Sequence, residues 1–293
     1  MRAMPTTLIE PPELARHLAD PQWVIIDCRF DLARPDWGAS AFAVGHIPGA
    51  LYAHLDRDLS GPRTPSSGRH PLPSPAVLAA TLSRFGIDAT VQVVAYDQGA
   101  GAYAARLWWL LRWLGHSQVA VLNGGFAAWE RAALPVSTQP ETRPARHFAA
   151  GADDALLAGS KEVAAAVSSG ALARGAVLLV DARSAERFAG ENECLDPVAG
   201  HIPGARNHPF TGNHDSGGRL LPAQQLRDAW RDTLRGAAPA QVIAMCGSGV
   251  TACHNLLALE VAGLPGARLY AGSWSEWIRD PSHAVARGPE TAG

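Results

Sequence analysis

The chain of 293 residues is long for one average domain and suits two, each able to bury its own core. With 47% hydrophobic and 18% charged residues it lies far from the composition of disordered chains. A formal net charge of -2 and a pI near 6.6 supply none of the basic attraction that nucleic acid or anionic lipid requires, so small molecules are the expected partners, with no nucleic acid and no membrane.

The opening stretch MRAMPTTLIEPPEL has one basic residue and no apolar core of signal-peptide length, and the most apolar run, Leu107 to Leu114, is broken by Arg112. Neither export nor membrane insertion is expected; the chain is read as cytoplasmic and monomeric. Its cysteines, Cys28, Cys194, Cys246 and Cys253, lack the dense spacing of a disulfide scaffold, so free thiols are expected.

In chain order, helical pattern and short apolar run alternate. ELARHLAD (13–20) precedes the strand WVIID (23–27); VQVVAYD (91–97) is followed by the helix AYAARLWWLLRWLG (102–115), the strand VAVL (119–122) and the helix FAAWERAA (126–133). The second half repeats the plan with KEVAAAVSSG (161–170), VLLVD (177–181), PAQQLRDAWRDTL (222–234), QVIAM (241–245), ACHNLLALEVAG (252–263) and ARLY (267–270). Continuously apolar, β-branched strands are buried on both faces, and their alternation with helices implies parallel sheets. The tryptophans Trp108, Trp109 and Trp113 read as packing residues rather than a stacking platform.

The halves match block by block. GHIPGA at 45–50 returns at 200–205, each copy preceded by a strand ending in aspartate, Asp27 or Asp181; GGFAAWERAALP (124–135) answers GSWSEWIRDP (272–281). With VQVVAYD (91–97) answering QVIAMC (241–246), four matched blocks in one order indicate duplication. Ligands of parallel sheets collect at the carboxyl ends of strands. There the second half carries Cys246-Gly247-Ser248-Gly249-Val250-Thr251, whose glycines let backbone N–H groups turn inward ahead of a helix N-terminus, a cradle for negative charge that would favour a thiolate. Alone, such a turn reads as well as a buried strand-end thiol. The matching loop of the first half has Asp97 at the cysteine position, so the duplication singles out Cys246.

The two GHIPGA blocks, their preceding aspartates, the CGSGVTA loop and GSWSEW together resemble the tandem-domain rhodanese family, which includes thiosulfate and 3-mercaptopyruvate sulfurtransferases, from about Thr7 to Asp280. The resemblance implies an α/β fold of two tandem rhodanese-like domains, each a mainly parallel sheet flanked by helices on both faces. It implies a catalytically inactive domain at 1–138, a linker at 139–155 and a catalytic domain at 156–293. Cys246 would carry sulfur as a persulfide whose charge is held by Gly247, Ser248, Gly249, Val250 and Thr251, while Arg187 would bind the donor's anionic end. Asp181 and Arg183 read as loop braces, and His46 and His201, present in both halves, as structural. No cofactor and no metal are implied.

The uncharged loop resembles that of 3-mercaptopyruvate enzymes more than loops suited to thiosulfate. Two departures leave the donor as either. GENECLDPVA (190–199) lacks the second arginine these enzymes carry there, and the histidine and carboxylate that the family's first domain lends to the loop serine are matched by His70 but, at the carboxylate position, by His54. The acceptor is read as a thiol or cyanide. Two competing classes are weighed: a cysteine phosphatase, which needs arginine where Ala252 stands, and a non-catalytic binding module, against which the intact Cys246 loop argues. Cys253 and His254 have no zinc-like partner spacing, the lone G-x-G fragments lack a dinucleotide fingerprint, and Cys194 reads as either a redox-sensitive thiol or a plain surface residue.

Overall fold

The apolar runs become strands where their sequence places them, and the computed structural model describes residues 4–289. Residues 1–3, including Arg2 of the opening stretch, and 290–293, at the end of the expected second domain, lie outside the described residues. The strands are β1 (Leu8–Ile9), β2 (Trp23–Asp27), β3 (Ala50–Tyr52), β4 (Gln92–Tyr96), β5 (Val119–Leu122), β6 (Leu178–Asp181), β7 (Arg206–Asn207), β8 (Val242–Met245) and β9 (Arg268–Leu269).

They form two parallel sheets, ordered β1-β5-β4-β2-β3 and β7-β6-β8-β9. With β6 to β9 set against β2 to β5 the orders coincide. Even the extra strand has a remnant, since Leu157 makes a single parallel bridge to Leu269. Side chains alternate faces along a strand. Leu179, Ile243 and Met245 pack with Val163, Phe188, Trp274 and Trp277, whereas Leu178, Val180 and Val242 meet Trp230, Leu234 and Leu259. These partners lie on helices Ser160–Ser168, Ala185–Ala189, Ser273–Trp277, Ala223–Leu234 and Thr251–Val261, so both faces of the second sheet are covered by helices. Each fully buried Leu, Val or Ile contributes roughly 1.5–3 kcal/mol, which is why these strands tolerate no polar alternation. In the first sheet Ile25, Val94, Tyr96 and Leu122 pack with Leu14, Phe126 and Trp129, and helix Ala104–Trp113, with Trp108, Trp109 and Trp113 buried, packs on β4 and β5.

The chain divides into two compact units. Of the described residues, one holds 4–61, Leu72–Asp153 and His214–Leu220; the other holds Pro62–Pro71, Asp154–Asn213 and 221–289. Residues 62–71, from the first half of the sequence, therefore fold with the second sheet. Among the described residues no helix is long and apolar enough to cross a membrane.

Candidate active site

Strand β8 ends at Met245 and delivers Cys246 to the carboxyl edge of the second sheet, beside β6, where the direction of chain winding switches. Two backbone restraints give the loop its shape. Gly249 adopts φ +76°, and a Cβ there would lie 2.3 Å from the Ala271 carbonyl oxygen, so only glycine fits. The block after β9 then grips the loop: Trp274 N–H donates to the Cys246 carbonyl (3.0 Å), Ser275 N–H to the Gly247 carbonyl (2.9 Å), and Cys246 N–H donates to Ser273 Oγ (3.0 Å), which in turn donates to the Tyr270 carbonyl (2.9 Å). Ser273 holds this position at φ +54°, a strained conformation for a residue with a Cβ.

Within the loop the Gly249 amide donates to Cys246 Sγ at 3.1 Å. The amides of Gly247, Ser248, Val250 and Thr251 have no protein acceptor among the described residues, and helix Thr251–Val261 starts at Val250 without a side-chain cap. Donors that the protein leaves unpaired at a helix N-terminus are a site for an anion. Cys246 is 2% exposed, so its sulfur sits at the floor of this cradle. Ser248 Oγ, also buried, lies 2.7 Å from His70 Nδ1. His70 reaches it on the 62–71 segment, which closes tightly on the 272–275 block: a Cβ on Gly68 would lie 2.6 Å from the Gly272 carbonyl oxygen, and Arg69 N–H donates to Ser275 Oγ at 3.0 Å. His54, at the expected carboxylate position, instead caps helix Leu55–Asp58 in the other unit, its Nδ1 accepting from Asp56 N–H.

Alongside the loop runs a chain of alternating charge. Arg183 forks onto Asp181 and reaches Glu193; Glu193 accepts from Arg187 Nε (3.1 Å) and Nη2 (2.9 Å); Arg187 Nη2 continues to Asp196 (3.2 Å); and Asp196 also pairs with Arg69. The Glu193 and Asp196 side chains are 2% exposed, so each needs these cations. Burial works to raise the Glu193 carboxyl, but hydrogen bonds from Arg187 and from the amides of Leu195 and Asp196 hold it below the usual range. For Asp196 burial wins over Arg69 and Arg187, and its carboxyl lies above the usual range.

Arg187 thus comes to the loop as a residue already bonded to two carboxylates. Arg69, Glu193, Asp196 and Ser273 join the loop without having been singled out in the sequence. Asp196 sits in the stretch whose lack of arginine stood out, and Ser273 replaces Gly125 of the matched block; Arg69 carried no signal beyond its place next to His70. The braces recur in both halves, Arg183 Nη2 donating to the Gly200 carbonyl and Arg29 Nη2 to that of Gly45, while His201 stacks on Phe188 as His46 does on Phe42. Cys253 donates to the Gly249 carbonyl, Cys194 is exposed, and among the described residues no group of three His, Cys, Asp or Glu side chains is placed to hold a metal.

Against known proteins, residues 10–132 and 163–280 each match the rhodanese-like domain. A probable 3-mercaptopyruvate sulfurtransferase of Pseudomonas aeruginosa is 48% identical over 283 residues, covering 96% of this chain and 98% of the relative. A putative thiosulfate sulfurtransferase of Mycobacterium tuberculosis is 40% identical, covering 98% and 99%. Among solved structures, SseA from Escherichia coli, described as a 3-mercaptopyruvate sulfotransferase, superposes with a TM-score of 0.80 at 33% identity over 93% of this chain and 100% of its own.

Proposed function

This chain belongs to the rhodanese family and is a sulfurtransferase, and from that premise we propose that Cys246 carries the transferred sulfur, taken from 3-mercaptopyruvate in preference to thiosulfate, to a thiol or cyanide acceptor. The observation that carries this reading is the cradle around Cys246, which holds one amide on the sulfur and four more without a protein acceptor.

The Cys246 thiolate attacks the sulfur of 3-mercaptopyruvate, forming an S–S bond as the donor's C–S bond breaks. The electron pair of that bond goes to carbon and forms the enolate of pyruvate. The proton that left the donor thiol ends on that carbon, so the products are pyruvate and an ionised persulfide. The outer sulfur of the persulfide reaches past Sγ toward the amides of the loop, which are aimed before the charge forms and so stabilise it without reorganisation. The Ser248–His70 pair supports the preference for the keto-acid donor: a hydroxyl 2.7 Å from an imidazole is suited to moving a proton between donor sulfur and carbon, a step thiosulfate does not need. Arg187, beside Gly247, is suited to the donor's anionic end. An acceptor thiolate or cyanide then attacks the outer sulfur, restoring the Cys246 thiolate.

Incubation with each donor and no acceptor, followed by peptide mass spectrometry and side-by-side steady-state kinetics, tests this. One added sulfur on the peptide containing Cys246, and a kcat/KM for 3-mercaptopyruvate at least about tenfold that for thiosulfate, are expected. Absence of the added sulfur overturns the carrier, and a preference for thiosulfate overturns the donor.

A further inference from the structure

The guanidiniums of Arg187 and Arg69 converge on the same point of the loop. A Cβ placed on Gly247 would lie 2.8 Å from Arg69 Nη2 and 3.4 and 3.6 Å from Arg187 Nη2 and Nη1, so the two cations stand directly over the residue after Cys246. Two like charges this close repel, and the shared carboxylate of Asp196, one oxygen toward each, holds them together. Arg69 Nη1 and Arg187 Nη2 are used in that bridge. Arg69 Nη2, the nitrogen nearest Gly247, and Arg187 Nη1, slightly farther from it than the committed Nη2, have no protein acceptor among the described residues.

The Arg69 guanidinium is not needed to hold its own segment. The Gly68 close approach, the Arg69 amide bond to Ser275 and the His70 bond to Ser248 already fix the backbone on either side, and the Arg69 side chain keeps 18% of its surface exposed. A planar fork with uncommitted N–H groups beside a second such fork matches the two oxygens of a carboxylate.

We propose that Arg69 is a second donor-binding residue, receiving the donor's carboxylate together with Arg187, and that Asp196 is the positioning residue that keeps the two guanidiniums side by side. The stretch 190–199 needs no arginine of its own, because the 62–71 segment brings one to the loop. This rests on Cys246 as sulfur carrier and adds to it the means by which an anionic keto acid is held.

The test compares Arg69→Ala, Arg69→Gln and Arg69→Lys with the unaltered protein for KM and kcat with 3-mercaptopyruvate and for inhibition by the product pyruvate, with thermal unfolding to check the fold. Loss of one charge-assisted contact to a carboxylate is expected to raise KM and the pyruvate inhibition constant together by about 10- to 100-fold in Arg69→Ala, with kcat within about threefold. Arg69→Lys, which keeps the charge and loses the fork, should recover part of the loss. If Arg69→Ala fails to fold, Arg69→Gln decides, since it keeps the stem and an N–H for Asp196 but not the charge. KM and pyruvate inhibition within about twofold of the unaltered protein overturn the assignment. Sulfur carriage fails separately, by absence of added sulfur on Cys246 in the unaltered protein.

Discussion

The loop after β4 and the loop after β8 hold equivalent places in matching sheets, yet they treat the same cradle in opposite ways. In the first, Asp97 fills it: Oδ1 accepts from the amides of Gly99 and Gly101, both at 3.0 Å, and Oδ2 from those of Tyr103 at 2.8 Å and Ala104 at 3.3 Å. In the second, Cys246 takes one amide, and the amides of Gly247, Ser248, Val250 and Thr251 have no protein acceptor among the described residues. The backbone latch behind the two positions is alike. Phe126 N–H grips the Asp97 carbonyl as Trp274 N–H grips that of Cys246, and Gly125 at φ +57° stands where Ser273 stands at φ +54°. A fold that builds an anion site can therefore use it for stability, by supplying the anion itself, or for chemistry, by leaving it open at some cost in stability.

The largest effect expected is at the one sulfur. Cys246→Ser should lower turnover with either donor by about 10³-fold or more while unfolding within about 1 kcal/mol of the unaltered protein, because a hydroxyl is nearly the same size but a far weaker nucleophile at neutral pH. Steady-state assays beside thermal unfolding check it, and full turnover by the variant would erase the distinction between the loops. Next comes Ser273, where the halves differ by a hydroxyl. Ser273→Gly makes the second latch like the first; it should lower kcat/KM about tenfold by freeing the Cys246 amide, yet leave stability within about 1 kcal/mol, since relief of a left-handed Cβ offsets the lost bonds. Ser273→Ala loses the bonds and keeps the strain, so it should be the less stable of the two by about 1–2 kcal/mol, and equal stabilities would remove the argument for strain at this residue.

The sequence made the central parts of the fold legible because their physics is local. WVIID, VQVVAYD, VAVL, VLLVD and QVIAM are continuous apolar runs, and they form β2, β4, β5, β6 and β8. The edge strands β1, β3 and β7 are two or three residues long and owe their pairing to neighbours rather than to any period of their own, so nothing in the chain announced them. Short helices such as Trp37–Val44 and Leu55–Asp58 escaped for the same reason. At the site, the Cys246 loop was legible through its contrast with Asp97. Arg69 was not, since a lone arginine in a Pro- and Ser-rich stretch becomes meaningful only when its segment folds against 272–275, and the bonding of Arg187 to Glu193 and Asp196 depends on how 190–199 curls back.

A smaller effect on turnover is expected from the filled cradle. Asp97→Ala should leave kcat/KM for 3-mercaptopyruvate within about twofold, since its loop holds no nucleophile, but should lower unfolding stability by about 3 kcal/mol as four amides lose a charged acceptor. Denaturant titration and kinetics on one preparation separate the two. A loss of rate without a loss of stability would mean that the first half does more for the chemistry than scaffold it.

The smallest effects are titrations shared by both halves. Burial pushes the His208 imidazole below its ordinary value, more than its hydrogen bond to Asn213 raises it, and burial likewise lowers His116 in the first unit, against the carbonyl bonds that favour its charged form. His208 sits in a neutral network, with Nδ1 2.8 Å from Thr233 Oγ1 and Nε2 3.0 Å from Asn213 Oδ1, and Asn213 in turn bonds Asn255 on the helix that begins at the Cys246 loop. In the unfolded chain each histidine protonates near pH ~6.5, while the folded protein resists until lower pH. The unfolded state therefore binds more protons in that interval; stability is complete above about pH 6.5 and declines as pH falls toward the folded-state values, levelling off below them. Denaturant midpoints measured from about pH 7.5 to 5 should show this decline, and His208→Gln should make it shallower. An unchanged slope in His208→Gln would assign the acid sensitivity to other groups, with His116→Gln as the matching test in the half that carries Asp97.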